Sequence, residues 1–154
     1  MNPFGGSEPE FDPVDAFVTE HVPEPGPFLR EHDVLVGDDH VAVHRHVAAA
    51  FEEHGVYDAT FGYNLARLNR DPRHPDAGFR YAEDRSDATT LRAEFTPTTA
   101  FCPQAEPLAV GAYRALDAAG RHGYERVLVR VDETLNGSDD VNERLERLED
   151  AVRQ

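Results

Sequence analysis

Cys102 is the chain's only cysteine, and it falls in the run Glu94-Phe95-Thr96-Pro97-Thr98-Thr99-Ala100-Phe101-Cys102-Pro103. This run joins the end of an alternating strand pattern to the start of an apolar-striped helix. At a helix N-terminus the free backbone N–H groups and the dipole favour negative charge. That setting makes a thiol a better nucleophile and metal ligand. The hydroxyls of Thr96, Thr98 and Thr99 offer hydrogen bonds to a sulfur or a bound anion. A free cysteine is also commonly a small buried hydrophobe, and the residues alone leave both readings open.

Other candidate ligands are sparser. His40 and His44 lie four apart on an expected helix, the spacing of a two-histidine metal pair. A metal needs further ligands, none is evident nearby, and a solvated helix face is the expectation. His46 falls on another face of that helix, and His21, His32, His54, His74 and His122 fall in loops or at element ends. Asp132-Glu133 and Asp139-Asp140 read as a solvated loop and a helix cap rather than a cation site. The sequence has no G-x-S-x-G, no P-loop and no G-x-G-x-x-G after a strand, so it carries no standard catalytic set.

The elements that must position Cys102 are legible around it. Residues 1–37 form a Pro/Gly/Glu-rich arm, in which Asp12-Pro13 starts a short helix over 13–21. A domain over 38–154 follows. Asp38 or Asp39 caps a helix through Glu53 that Gly55 closes, with Val43, Val47 and Phe51 on its core face. Residues 57–69 add a short helical segment around Leu65 and Leu68. Phe79 and Tyr81, a turn at Asp84-Arg85-Ser86-Asp87, and the alternation of Leu91, Ala93 and Phe95 predict a hairpin with one buried and one wet face. Pro103 opens a helix striped by Leu108, Ala112 and Leu116, which Gly120 and Gly123 end. Val127, Val129 and Val131 give a third strand, placed for parallel pairing by the helical crossover. Ser138 or Asp139 caps a last helix with Val141, Leu145, Leu148 and Val152 in its stripe. The expectation is a two-layer α+β domain, order α-β-β-α-β-α, with helices on one face of a three-stranded mixed sheet.

Composition narrows the function classes. Acidic residues outnumber basic ones 30 to 15, for a net charge of −15, and every basic residue is Arg. Such a surface repels nucleic-acid phosphate. An excess of carboxylates with no Lys points to adaptation to high salt, where screening shortens charge repulsion, and so to a halophilic, haloarchaeal source. No run is long and apolar enough to span a bilayer, and the N-terminus lacks the regions of a secretory signal. The expectation is a cytoplasmic protein with no membrane partner.

Phe95-Thr96-Pro97-Thr98 followed by Phe101-Cys102 resembles a motif of the iron–sulfur cluster assembly factors of the SufT, PaaD and eukaryotic cytosolic targeting type. Val127–Val131, the polar loop to Asp140 and Val141-Asn142-Glu143-Arg144-Leu145 are similar to that family's later elements. Val56-Tyr57-Asp58 and Leu68-Asn69 are similar to its earlier ones. Ala59 and Thr60 stand where the family has Pro-Glu, and the extra C-terminal cysteines of the PaaD branch are absent. The resemblance implies an accessory factor, not an enzyme, whose partners are assembly proteins and client apoproteins. Cys102 corresponds to the reactive cysteine, with Thr96, Pro97, Thr98 and Thr99 in its motif and Asp58 and Asn142 as weaker matches. Its cargo would be a transient iron–sulfur cluster or iron. Clusters are normally held by four thiolates, so one cysteine implies sharing with a partner or across a homodimer. Two other classes stay open beside this one: a thiol-dependent enzyme with Cys102 as nucleophile, which needs a base in reach, and an interaction module without thiol chemistry.

Overall fold

Val43, Val47 and Phe51 do recur on one face of a helix, α2 (Gly37–His54), and all three are buried. The computed structural model describes residues 11–13, 16–58, 63–102, 104–119 and 124–153. Helix α2 begins one residue before the aspartates expected to cap it, so Asp38 and Asp39 lie in its first turn, where they complement the dipole. It ends at Gly55, whose φ of 70° is the left-handed conformation of a helix stop and whose N–H donates to Phe51 O.

The hairpin forms as read. Strands β4 (Gly78–Asp84) and β5 (Asp87–Thr96) pair antiparallel with Phe79 opposite Phe95 and Tyr81 opposite Ala93. Asp84 Oδ1 accepts from Ser86 N–H at 2.9 Å and Ser86 Oγ–H at 2.6 Å, which closes the turn. Helix α3 (Ala105–Ala119) carries the chain back to β6 (Arg126–Val131), which pairs parallel to β5 with Val129 opposite Ala93. Helix α4 (Ser138–Arg153) ends the described chain. Pro103, Gly120 and Gly123, read as helix boundaries, lie outside the described residues, and so does the side chain of Val152.

Two features correct the expected architecture. The sheet has four strands, not three, in the order β1-β4-β5-β6, because Asp33–Val34 (β1) pairs antiparallel with Glu83 and Ala82 at the edge of β4. A strand of two residues has no periodicity to read. A separate pair, β2 (Tyr57–Asp58) and β3 (Tyr63–Asn64), precedes a 3-10 helix over Leu65–Arg70 where a helical segment was expected. Of the helix expected over 13–21, Val14 and Asp15 lie outside the described residues, Ala16–Val18 are not helical, and Thr19–His21 form one 3-10 turn.

The main core lies between the sheet and helices α2, α3 and α4. It takes Phe79, Tyr81, Leu91, Ala93, Phe95, Val127, Val129 and Val131 from the strands. The alternate strand residues were expected to face water. Instead Arg80, Ala82 and Glu94 are buried, at 6%, 0% and 2% exposure. The arm lies over them: Arg80 Nη1 donates to Pro23 O at 3.0 Å and Arg92 Nη1 to Phe28 O at 3.2 Å. A one-turn helix, α1 (Pro27–Arg30), anchors the arm there with its fully buried Leu29. Helices therefore sit on both faces, the three long ones on the main core and α1 opposite.

Candidate functional site

Strands β5 and β6 run parallel, so their C-terminal ends open at the same edge, and the two loops that follow them meet there. Asp132 N–H donates to Phe95 O at 2.9 Å, carrying the ladder one residue past β6. Asn136 N–H then donates to Ala100 O at 2.7 Å, which braces the turn after β5 against the loop after β6. Within the turn, Phe101 N–H reaches Thr99 Oγ1 at 3.3 Å, and Ala105 N–H donates to Cys102 O at 3.3 Å as α3 begins.

Cys102 is half-buried and packs against the helix-side core. The residue before it, Phe101, is 77% exposed. Cys102 therefore sits at the boundary between the core and a surface that carries an exposed aromatic ring. The threonines of the motif divide between two sides. Thr99 is spent on the turn. Thr96 lines a cavity with Asp132, Thr134, Gly26 and Arg30 on the arm side, and its buried Oγ1 has no hydrogen-bond partner. Pro97 is buried and Thr98 half-buried. The run therefore positions Cys102 by its backbone, and Thr96 looks away from it.

Asn142 has a different task from a ligand's. Its carboxamide accepts from Val131 N–H at 2.7 Å and donates to Val131 O at 3.0 Å, as a neighbouring strand would. Glu149, two helical turns on, accepts from Val129 N–H at 3.0 Å and from Arg130 Nη1 at 2.7 Å. Asn69 pairs with Phe79 N–H and O in the same way, each at 2.6 Å, on the side of β4 away from β5, beyond the two residues that β1 covers. Asp58 lies in β2 opposite Tyr63, away from these loops in the chain's order, and its side chain is outside the described residues.

His40 and His44 correct the reading of a solvated helix face. His40 is 3% exposed, packs on Phe17 of the arm and on Tyr81, and stacks on His44 at 5.6 Å. Burial, with His44 and Arg80 nearby, drives its pKa down to about 3. Burial drives His44 down to about 4, against the pull of its bond to Ala66 O and with the help of Arg70. Among the described residues, no group of three His, Cys, Asp or Glu side chains is placed to hold a metal ion.

The sequence reading missed a buried carboxyl. Glu94 accepts from Gly26 N–H at 2.6 Å beneath the arm. Burial pushes its pKa up to about 7, opposed by the Gly26 N–H, aided by the charge of Asp132, and opposed again by the Phe28 N–H and Arg30. Asp132, expected in a solvated loop, is 9% exposed in the same seat. The signal in the sequence was the charge of Arg80, Arg92, Glu94 and Arg130 at alternate positions of three adjacent strands, together with a Pro-rich segment that had to lie somewhere.

The fold and site define a mixed-sheet α+β protein with a half-buried cysteine at a strand-to-helix turn. The family described as a domain of unknown function, DUF7998, matches residues 9–154, and the chain belongs to that family. No curated protein and no solved structure matches it. Among the described residues no helix is long and apolar enough to cross a membrane.

Proposed function

We propose that this protein is an accessory factor in iron–sulfur cluster assembly or delivery, with a cluster or iron as its cargo and Cys102 as a transient contact. The observation that carries the reading is the half-buried thiol beside a 77% exposed Phe101. It offers a sulfur and an apolar contact at one point of the surface. Further support comes from the F-T-P-T…C run and the V-N-x-x-L element. They lie far apart in sequence, yet the loops joining them meet through the Asn136–Ala100 bond.

One thiolate supplies one ligand, and clusters are normally held by four. The remaining ligands come from an assembly protein, a client apoprotein or a second copy of the chain. A lone, accessible cysteine stays reduced in the cytoplasm, and the reading locates the protein there.

The test is complementation. Cys102→Ala is expected to stay folded, with an unchanged melting temperature, and to lose the ability to restore iron–sulfur enzyme activity in a strain lacking the protein. Restoration equal to that of the native chain would remove the cysteine from the mechanism.

A further inference from the structure

The sheet face under the arm is charged, where a covered face is ordinarily apolar. It presents Arg80, Arg92, Glu94 and Arg130, and the segment Pro23-Glu24-Pro25-Gly26-Pro27 crosses it. The Phe28 ring lies against the Arg92 guanidinium at 4.5 Å and the Arg130 guanidinium at 5.1 Å. A Cβ on Gly26 would sit 2.7 to 2.8 Å from both carboxyl oxygens of Glu94 and from Asp132 Oδ1. The arm backbone thus rests directly on the Glu94 carboxyl, and a side chain at Gly26 would have to push the Glu94 and Asp132 carboxyls aside. Two further groups are left incomplete by this cover. Arg80 Nε and His40 Nδ1 are buried with no hydrogen-bond partner, and Phe17 of the arm packs on both side chains.

We propose that residues 16–30 are a proton-gated strap, latched over the second face of the sheet by the protonated Glu94 carboxyl and loosened when that proton is lost. The charges around the latch set its sense. From the arm come the Gly26 and Phe28 N–H groups and Arg30, which favour the anion. From the loop after β6 comes Asp132, which opposes it, with Glu133 lining the cavity alongside. Arg92 of β5 is engaged by Asp84 at 2.8 Å and Arg130 of β6 by Glu149 at 2.7 Å, so neither is free to neutralise Glu94. Arg80 of β4 is turned to Pro23 O, with Glu24 nearby. Glu31 and His32 after α1, and Glu143 and Glu146 of α4, line the cleft that Glu94 also faces. Burial outweighs the donors.

An undocked strap returns Glu94 to water and to its ordinary value of 4.5, against about 7 when docked. Docking therefore takes up a proton. Its equilibrium constant falls by up to about tenfold for each pH unit between those two values. His40 acts in the opposite sense, since its protonation at low pH loosens the contact with Phe17. The sign of the pH dependence tells the two apart.

Hydrogen exchange on the whole chain reads this directly. With intrinsic rates corrected, protection of the Gly26 and Phe28 amides is expected to fall at least tenfold from pH 5.5 to pH 8, while Val129 and Leu116 hold theirs. Glu94→Gln, which keeps a neutral side chain at every pH, is expected to abolish that fall. Asp132→Asn leaves Glu94 in place and removes the opposing charge, so it should shrink the fall even if Glu94→Gln does not fold. Arm protection that is flat with pH in the native chain, or a fall that Asp132→Asn leaves unchanged, overturns the proposal.

Discussion

His44 Nδ1 lies 2.6 Å from the Tyr81 hydroxyl, and its Nε2 lies 2.7 Å from Ala66 O. A carbonyl only accepts, so Nε2 carries the ring proton and Nδ1 is left as the acceptor of the Tyr81 O–H. Burial holds the Tyr81 hydroxyl protonated by pushing its pKa well above the usual value. The neutral imidazole thus bridges the core strand β4 to the segment after β3, and a second proton on Nδ1 would turn the Tyr81 bond round and place a charge where burial disfavours it.

Acid should therefore unfold this protein through its histidines. Both pKa values are lowered, from 6.5 to about 3 for His40 and to about 4 for His44. The unfolded chain binds the extra protons first, so the stability they contribute is complete above pH 6.5 and drains away as pH falls below it. One pH unit below 6.5 the loss is about 1 kcal/mol for each ring. His40→Phe, which keeps the ring contacts, is expected to flatten the acid side of a melting temperature against pH curve. An unchanged curve would show that His40 is not a source of the acid sensitivity.

The two edge amides should matter unequally. Asn69→Ala strands Phe79 N–H and O in the interior and should cost about 2 to 3 kcal/mol. Asn142→Ala frees Val131 N–H and O on the side of the half-buried Asn142, where water can substitute, and should cost about 1 kcal/mol. Denaturant titration measures both. A loss of function in Asn142→Ala without any loss of stability would give that family-matched position a task beyond pairing with Val131.

Gly78 should tolerate no side chain. Its φ is 119°, and a Cβ would run into Asn69 Oδ1 and lie 2.7 Å from Asn69 Cγ. Gly78→Ala is expected to cost about 3 kcal/mol. Because it displaces the Asn69 amide, adding Asn69→Ala should cost little more, a non-additivity that a double-mutant cycle detects.

Cys102 should react in the folded state. Mass spectrometry after brief iodoacetamide treatment is expected to show full modification at denaturant concentrations far below the unfolding midpoint. Phe101→Asp should leave stability within about 0.5 kcal/mol, since a surface substitution disturbs no packing. A thiol that reacts only on unfolding would favour core packing as its role.

The charge imbalance predicts a salt requirement. With a net charge of −15, the melting temperature should fall steadily as KCl is lowered from molar to about 10 mM, where screening reaches some 30 Å. Stability that is indifferent to salt would count against a halophilic source.

The long elements were legible because each has its own period. The apolar stripes of α2 and α3, Val141 and Leu145 of the α4 stripe, and the alternation in β5 and β6 put the same residues in the core that the structure does. What sequence could not supply was the cover. Arg80, Arg92 and Glu94 alternate with core residues as solvent-facing side chains do, and only the docked arm makes two of them buried. His40 looked like a surface histidine because its neighbours, Phe17 and Tyr81, come from elements remote in the chain. Strand β1 was hidden by its two-residue length. Cys102 was found from its turn, but Asn142 was noticed only by resemblance, since an amide paired to a backbone leaves no pattern in sequence.

The seat of the arm also fixes an order of events during synthesis. Residues 16–30 leave the ribosome well before the groups that receive them: Arg80 on β4, Glu94 on β5, Arg130 on β6 and Asp132 beyond it. Parallel pairing of β5 with β6 must wait for α3 to close the crossover. A segment made before its seat is therefore among the last to settle, and its protected amides report that the sheet beneath it has formed.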